Sequence, residues 1–152
     1  MDVQGLLDDI RESLTPMIGQ GNVADYIPSL AGVHPAHFGM AVVMPDGQAF
    51  GTGDWDKPFS IQSISKLFTL AMAYAVDGDQ LWQRVSREPS GDPFNSLAQL
   101  ELQDGIPRNP FINSGAIVVA DRLLSITGGH TAGLLDFLRT ESGNAAIVAN
   151  LE

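Results

Sequence analysis

FSIQSISKLFTLAMAYAV, Phe59 to Val76, is the segment around which this 152-residue chain is organised. Residues 61–76 contain neither glycine nor proline, and Pro58 and Ser60 stand where an approach and a cap belong. The spacing predicts one helix of about four turns. Its polar residues Gln62, Ser63, Ser65, Lys66 and Thr69 crowd the first two turns, whereas Leu70 to Val76 is apolar almost all round. That is the pattern of a helix buried in a core with its polar end opening outward.

Ser63 and Lys66 stand three residues apart, which puts both side chains on one face of a helix. In a helix that starts near Ser60, the Ser63 N–H lacks an intrahelical acceptor and is available to a developing oxyanion. The helix dipole and the apolar neighbours Leu67 and Phe68 both disfavour a charged amine at Lys66, so a neutral amine is expected beside a hydroxyl. That is a general base beside a nucleophile. Ser-x-x-Lys also arises by chance, and a lysine at a helix end can simply snorkel to water. The chain has only two lysines, Lys57 and Lys66, which makes solubility a poor account of Lys66.

Composition narrows the classes. With 44% hydrophobic residues the chain can bury a sizeable core, and one domain is the default. Eight Lys plus Arg against eighteen Asp plus Glu give a net charge of −10, which disfavours nucleic acid and anionic lipid as partners. The absence of cysteine removes disulfides, thiolate nucleophiles and Cys-based zinc sites. MDVQGLLDDI opens with acids and not with a basic region followed by an apolar run, so no signal peptide is expected and a cytoplasmic location is. The apolar run Leu67 to Val76 is far short of the roughly 20 residues of a membrane span.

Along the chain, residues 2–18 carry apolar residues at helical spacing and predict an amphipathic helix. A Pro-interrupted connection follows, in which Tyr26 reads as a half-buried packing aromatic. Met40 to Met44, the turn residues Pro45-Asp46-Gly47, and Gln48 to Thr52 predict a hairpin. Beyond the central helix, Asp77-Gly78 is a stop, 80–87 a short helix and 95–102 another short periodic piece. Asn109-Pro110 opens a turn before a helix over 116–126 closed by Gly128-Gly129. Asn113 is either that helix's N-cap or an amide turned into a cleft. Segments 131–140 and 145–151 predict further helical pieces. His34, His37 and His130 lack a carboxylate at ligand spacing, so no metal site is expected, nor any phosphate-binding glycine loop.

Taken in order, DYIPSLA, PFSIQSISK, EPSGDPFN and RNPFINSGAIVVADRL resemble the serine-dependent glutaminases, which share the fold of the class A β-lactamases and penicillin-binding proteins. The resemblance implies an incomplete α+β, β-lactamase-like (DD-peptidase-like) serine hydrolase fold and hydrolysis of L-glutamine to L-glutamate and ammonia through a glutamyl ester, without a cofactor. It implies Ser63 as nucleophile, its N–H in the oxyanion hole, and Lys66 as base. Asn113, Tyr26 and Gln62 become substrate contacts, and homodimers or tetramers are expected. It spans nearly all of residues 1–152 but only the N-terminal portion of the family's catalytic domain. Family members continue with a glutamate, an asparagine, tyrosines and a Lys-Ser-Gly strand, so a truncated gene product or fragment is expected. Two other readings stay open: a penicillin-recognising acyl enzyme, against which Asn113-Ser114-Gly115 counts, and a non-catalytic fragment that needs a partner chain.

Overall fold

A computed structural model describes residues 1–91, 93–95, 104–128 and 132–149, which form two compact units, Met1–Ser60 and Ile61–Leu151. In the first, helix α1 spans Val3–Leu14 and is capped by Asp2, whose carboxylate accepts the Gly5 N–H at 2.9 Å. A 3-10 turn, Thr15–Met17, ends it, because Pro16 cannot continue the hydrogen-bond ladder. A single helical turn, α2 (Pro28–Ala31), lies in the predicted connection. Strands β1 (Gly39–Val43) and β2 (Ala49–Gly53) pair antiparallel, Ala41 facing Gly51. Gly47, at φ 88°, supplies a left-handed residue in the loop 44–48 that joins them.

α1 is fastened to β2 by polar bonds as well as by buried Leu7. The Thr52 hydroxyl donates to Asp8 at 2.8 Å and the Gln4 amide to the Gly51 carbonyl at 3.2 Å. The bonds from Gln4 and then Thr52 hold the Asp8 carboxyl below the ordinary carboxylate range. Gly51 is required at its position, since a Cβ there would fall 2.2 Å from the Trp55 ring.

In the second unit a 3-10 turn, Gln62–Ile64, leads into α3 (Ser65–Asp77), and a 3-10 segment, Gly78–Gln83, follows it. Helices α4 (Asn113–Ile126) and α5 (Ala132–Ser142) complete the described elements. The core is Ala73, Leu81, Val85 and Val119, with Leu70, Trp82 and Val118 packed against it. At the far end of α3, Arg122 donates from Nε and Nη2 to the two carboxylate oxygens of Asp77, Nη2 lying 2.6 Å from Oδ1.

The helix expected over 61–76 is therefore corrected at its start. The residue preceding α3 is Ile64, with no side-chain cap, and not Ser60. Gln62 explains the shift: at φ 43° it is left-handed, which breaks α-helical continuity and leaves a tighter turn. Burial is corrected too. Only Ala73 of α3 is buried, while Leu67, Tyr74 and Val76 are 53%, 42% and 61% exposed, because the described residues cover one side of the helix. Residues 80–87 are not an α-helix: 80–83 are the end of the 3-10 segment and 84–87 lie outside any helix. Residues 145–149 form a turn and extended chain; the rest of that prediction, the piece over 96–102 and Gly129 lie outside the described residues. No helix among the described residues is long and apolar enough to cross a membrane.

Two outcomes are expected. Gln62→Gly should be more stable than Gln62→Val by about 1–2 kcal/mol in urea unfolding, since only glycine takes the left-handed conformation without a Cβ clash. The Arg122 hydrogen bond holds the Asp77 carboxyl below its ordinary value of 3.8. A depressed carboxyl stabilises the fold above its unfolded pKa and loses that contribution as pH falls through the folded one. The gap in urea midpoint between the native chain and Asp77→Asn should accordingly be full at pH 6 and close progressively below 3.8.

Candidate active site

The side chains that converge in the second unit come from α3 and from the approach to α4. Lys66, the second residue of α3, is half-buried and donates from Nζ to the Phe111 carbonyl at 3.0 Å and to Asn113 Oδ1 at 2.7 Å. Both acceptors are uncharged. Among the described residues Lys66 belongs to no ion pair, whereas Lys57 pairs with Asp54 at 2.7 Å. Asn113 is not an N-cap: Ile112 holds that place in extended conformation, and Asn113 is the first residue of α4. Its own N–H donates to the Phe94 carbonyl at 2.8 Å, and its side chain reaches across to α3.

A cleft of about 440 Å³ opens beside this amine. Its polar lining is Ser65, Lys66, Thr69, Asn95 and Asn113, and the Ala116–Ala120 face of α4 supplies the apolar part. Small residues there leave room for a ligand, while amides and hydroxyls can both donate and accept. The Ser65 hydroxyl is engaged, donating to the Gln62 carbonyl at 2.7 Å and so fastening the 3-10 turn.

Ser63 is the middle residue of that turn and is exposed, as is Gln62 before it. Ser63 is not among the lining residues of the cleft, and its hydroxyl is not among the Lys66 partners. Lys66 and Asn113 are thus brought together, and Ser63 stands three residues before Lys66 in the preceding 3-10 turn. Tyr26 belongs to the first unit and is 82% exposed, not the half-buried packing residue that its spacing predicts. His34 and His37 are exposed with ring centroids 5.8 Å apart, and His130 lies outside the described residues.

Sequence reasoning missed the Phe111 carbonyl, because a backbone acceptor leaves no residue-type signature. The available signal was Asn109-Pro110, a turn pair that reorients the peptides just after it. Thr69 and Asn95 were missed as lining residues. Thr69 sits one turn after Lys66 on the same helix face, a spacing that could have found it.

The glutaminase family model matches residues 21–152. A glutaminase of Streptomyces coelicolor is 58% identical over 139 residues, 91% of this chain and 45% of that protein. One of Aliarcobacter butzleri is 52% identical over 153 residues, 100% of this chain and 50% of its own. The chain thus spans about half the length of the curated relatives it matches. Among solved structures, the probable glutaminase ybaS superposes with a TM-score of 0.76 at 29% identity, covering 99% of this chain and 50% of that one. A probable Bacillus subtilis glutaminase complexed with 6-diazo-5-oxo-L-norleucine gives 0.65 at 32% identity, covering 92% and 40%. The architecture is accordingly α+β and β-lactamase-like, present here over about half the length of those structures, and the chain belongs to the glutaminase family.

Proposed function

We propose that this chain carries the acylation centre of a glutaminase, which hydrolyses L-glutamine to L-glutamate and ammonia, with Ser63 as nucleophile and Lys66 as its base. The observation that carries the reading is the seating of the Lys66 amine on two neutral acceptors, Phe111 O and Asn113 Oδ1. In a neutral amine those two bonds would use both N–H groups and leave the lone pair for a hydroxyl proton. Residues three apart across a 3-10 turn and a helix start lie on one side of the chain, which favours Ser63 as the hydroxyl concerned. The high identity to glutaminases and the glutamine-shaped diazo ketone held by the Bacillus subtilis neighbour support the substrate.

In this scheme Ser63 Oγ adds to the side-chain carbonyl of glutamine as its proton passes to Lys66. Collapse of the adduct breaks the C–N bond, the proton goes to nitrogen, and ammonia leaves a glutamyl ester on Ser63. Water then cleaves the ester to release glutamate. The Ser63 N–H, in the 3-10 turn ahead of α3, is assigned to the oxyanion hole. Asn113, Gln62 and Tyr26 contact the substrate. We read residues 1–152 as the N-terminal portion of the catalytic domain, acting as a homodimer or homotetramer in the cytoplasm.

Ammonia release from glutamine tests the reading. Ser63→Ala should abolish turnover with an unchanged far-ultraviolet circular dichroism spectrum, and Lys66→Ala should lower kcat by roughly two or more orders of magnitude. Asn113→Ala, which removes one of the two acceptors, should cost about tenfold or more in kcat. Near-native rates in Ser63→Ala or Lys66→Ala would remove the mechanism. Hydrolysis of nitrocefin in place of glutamine would move the chain to the penicillin-recognising enzymes.

A further inference from the structure

Asn109, which the scheme above does not employ, sits at the centre of a turn in the second unit. Asn109 Oδ1 accepts the Phe111 N–H at 3.0 Å and the Ile112 N–H at 3.1 Å, and its Nδ2 donates to the Glu88 carbonyl at 2.9 Å. The strand of chain on either side is fastened as well. Ser86 N–H donates to the Pro107 carbonyl and Glu88 N–H to the Arg108 carbonyl, each at 2.7 Å. Gly115 packs its backbone closely against the turn, since a Cβ there would fall 1.8 Å from the Asn109 carbonyl oxygen.

The consequence falls on Phe111. Its N–H and that of Ile112 belong to the peptides flanking Phe111, so fixing both sets the rotation of the peptide plane whose carbonyl is Phe111 O. That carbonyl is the acceptor 3.0 Å from the Lys66 amine. We propose that Asn109 is a positioning residue of the Lys66 centre: through the Phe111 and Ile112 peptides it aims the Phe111 carbonyl at the amine and holds the amine beside Asn113. The assignment rests on the reading of Lys66 as the base. Asn109 touches neither the amine nor a substrate, and it acts through the backbone alone. Asparagine suits the task because the turn uses both ends of its amide, an acceptor for two N–H groups and a donor for a carbonyl. Aspartate would keep the acceptor, lose the donor and add a negative charge near the amine.

The test uses the whole chain and its two lysines. Competitive acetylation across a pH series, read by peptide mass spectrometry, compares Lys66 with Lys57 as internal reference and needs no turnover. Asn109→Leu should raise Lys66 labelling severalfold relative to Lys57 and lower kcat by about tenfold or more with a smaller change in KM. Asn109→Asp should retain more of the activity and move the midpoint of Lys66 labelling to higher pH, with the acid limb of the kcat profile moving alike. In the unsubstituted chain the Phe111 and Ile112 amides should be protected from hydrogen exchange, a measurement that survives failure of any variant to fold. Exchange of those amides at open-chain rates, or Lys66 labelling unchanged in both folded variants, would overturn the proposal. Loss of the glutaminase reading would appear separately, as turnover unaffected by Ser63→Ala while the labelling still responds to residue 109.

Discussion

The structure of the second unit turns on one constraint, an amine held between two helices by oxygens that carry no charge. Lys66 projects from the start of α3 and is caught by Phe111 O and Asn113 Oδ1 at the start of α4. A carboxylate in either place would favour the charged form of a lysine and convert it into an ion pair. Carbonyl and amide oxygens fix the direction of the amine with far less bias of that kind. Arg84 and Asp121, 2.7 Å apart on the surface, form the kind of exposed pair that contributes little. Lys66 is set apart from them by the chemistry of its partners.

The rest of the unit serves that placement. Ala73 and Val119 bring α3 and α4 together, and the Asp77–Arg122 clamp ties the opposite end of α3 to α4. With the far end fastened, the near ends present their first turns to each other. Those turns are tightened in two different ways. On the α3 side a left-handed Gln62 and the Ser65 hydroxyl bond compress the chain into a 3-10 turn around Ser63. A non-glycine residue in that conformation stores strain, and such strain is found where geometry serves chemistry more than stability. On the α4 side the Asn109 amide oxygen ties the turn by accepting the Phe111 and Ile112 N–H groups.

Much of this was legible in the residues. The hairpin followed from the apolar run Met40 to Met44 and the turn residues Pro45-Asp46-Gly47, α1 from its apolar spacing, and α4 from the run after Asn113. Lys66 stood out because lysine is so scarce in the chain, and four ordered motifs led to the glutaminase family before any coordinates. The start of α3 was not legible. A left-handed glutamine carries no compositional mark, so the propensities of 61–64 indicated helix where the backbone turns more tightly. Burial of α3 was misjudged because an apolar sequence reports what a helix can be packed against, not what the described part of the molecule packs on it. Asn113 shows the opposite limit: both of its readings were available, and only the bond to Lys66 distinguishes a side chain directed at α3 from a cap.

The central claim, that the seated Lys66 amine makes Ser63 the acyl acceptor, is tested most directly by acid-quenching the purified chain during incubation with glutamine and mapping covalent adducts by mass spectrometry. The expected result is a glutamyl group on the peptide containing Ser63, labile to hydroxylamine as an ester is, and missing when Lys66 is replaced by alanine. Ammonia release with no adduct at Ser63, or a glutamyl group on a different residue, would contradict it.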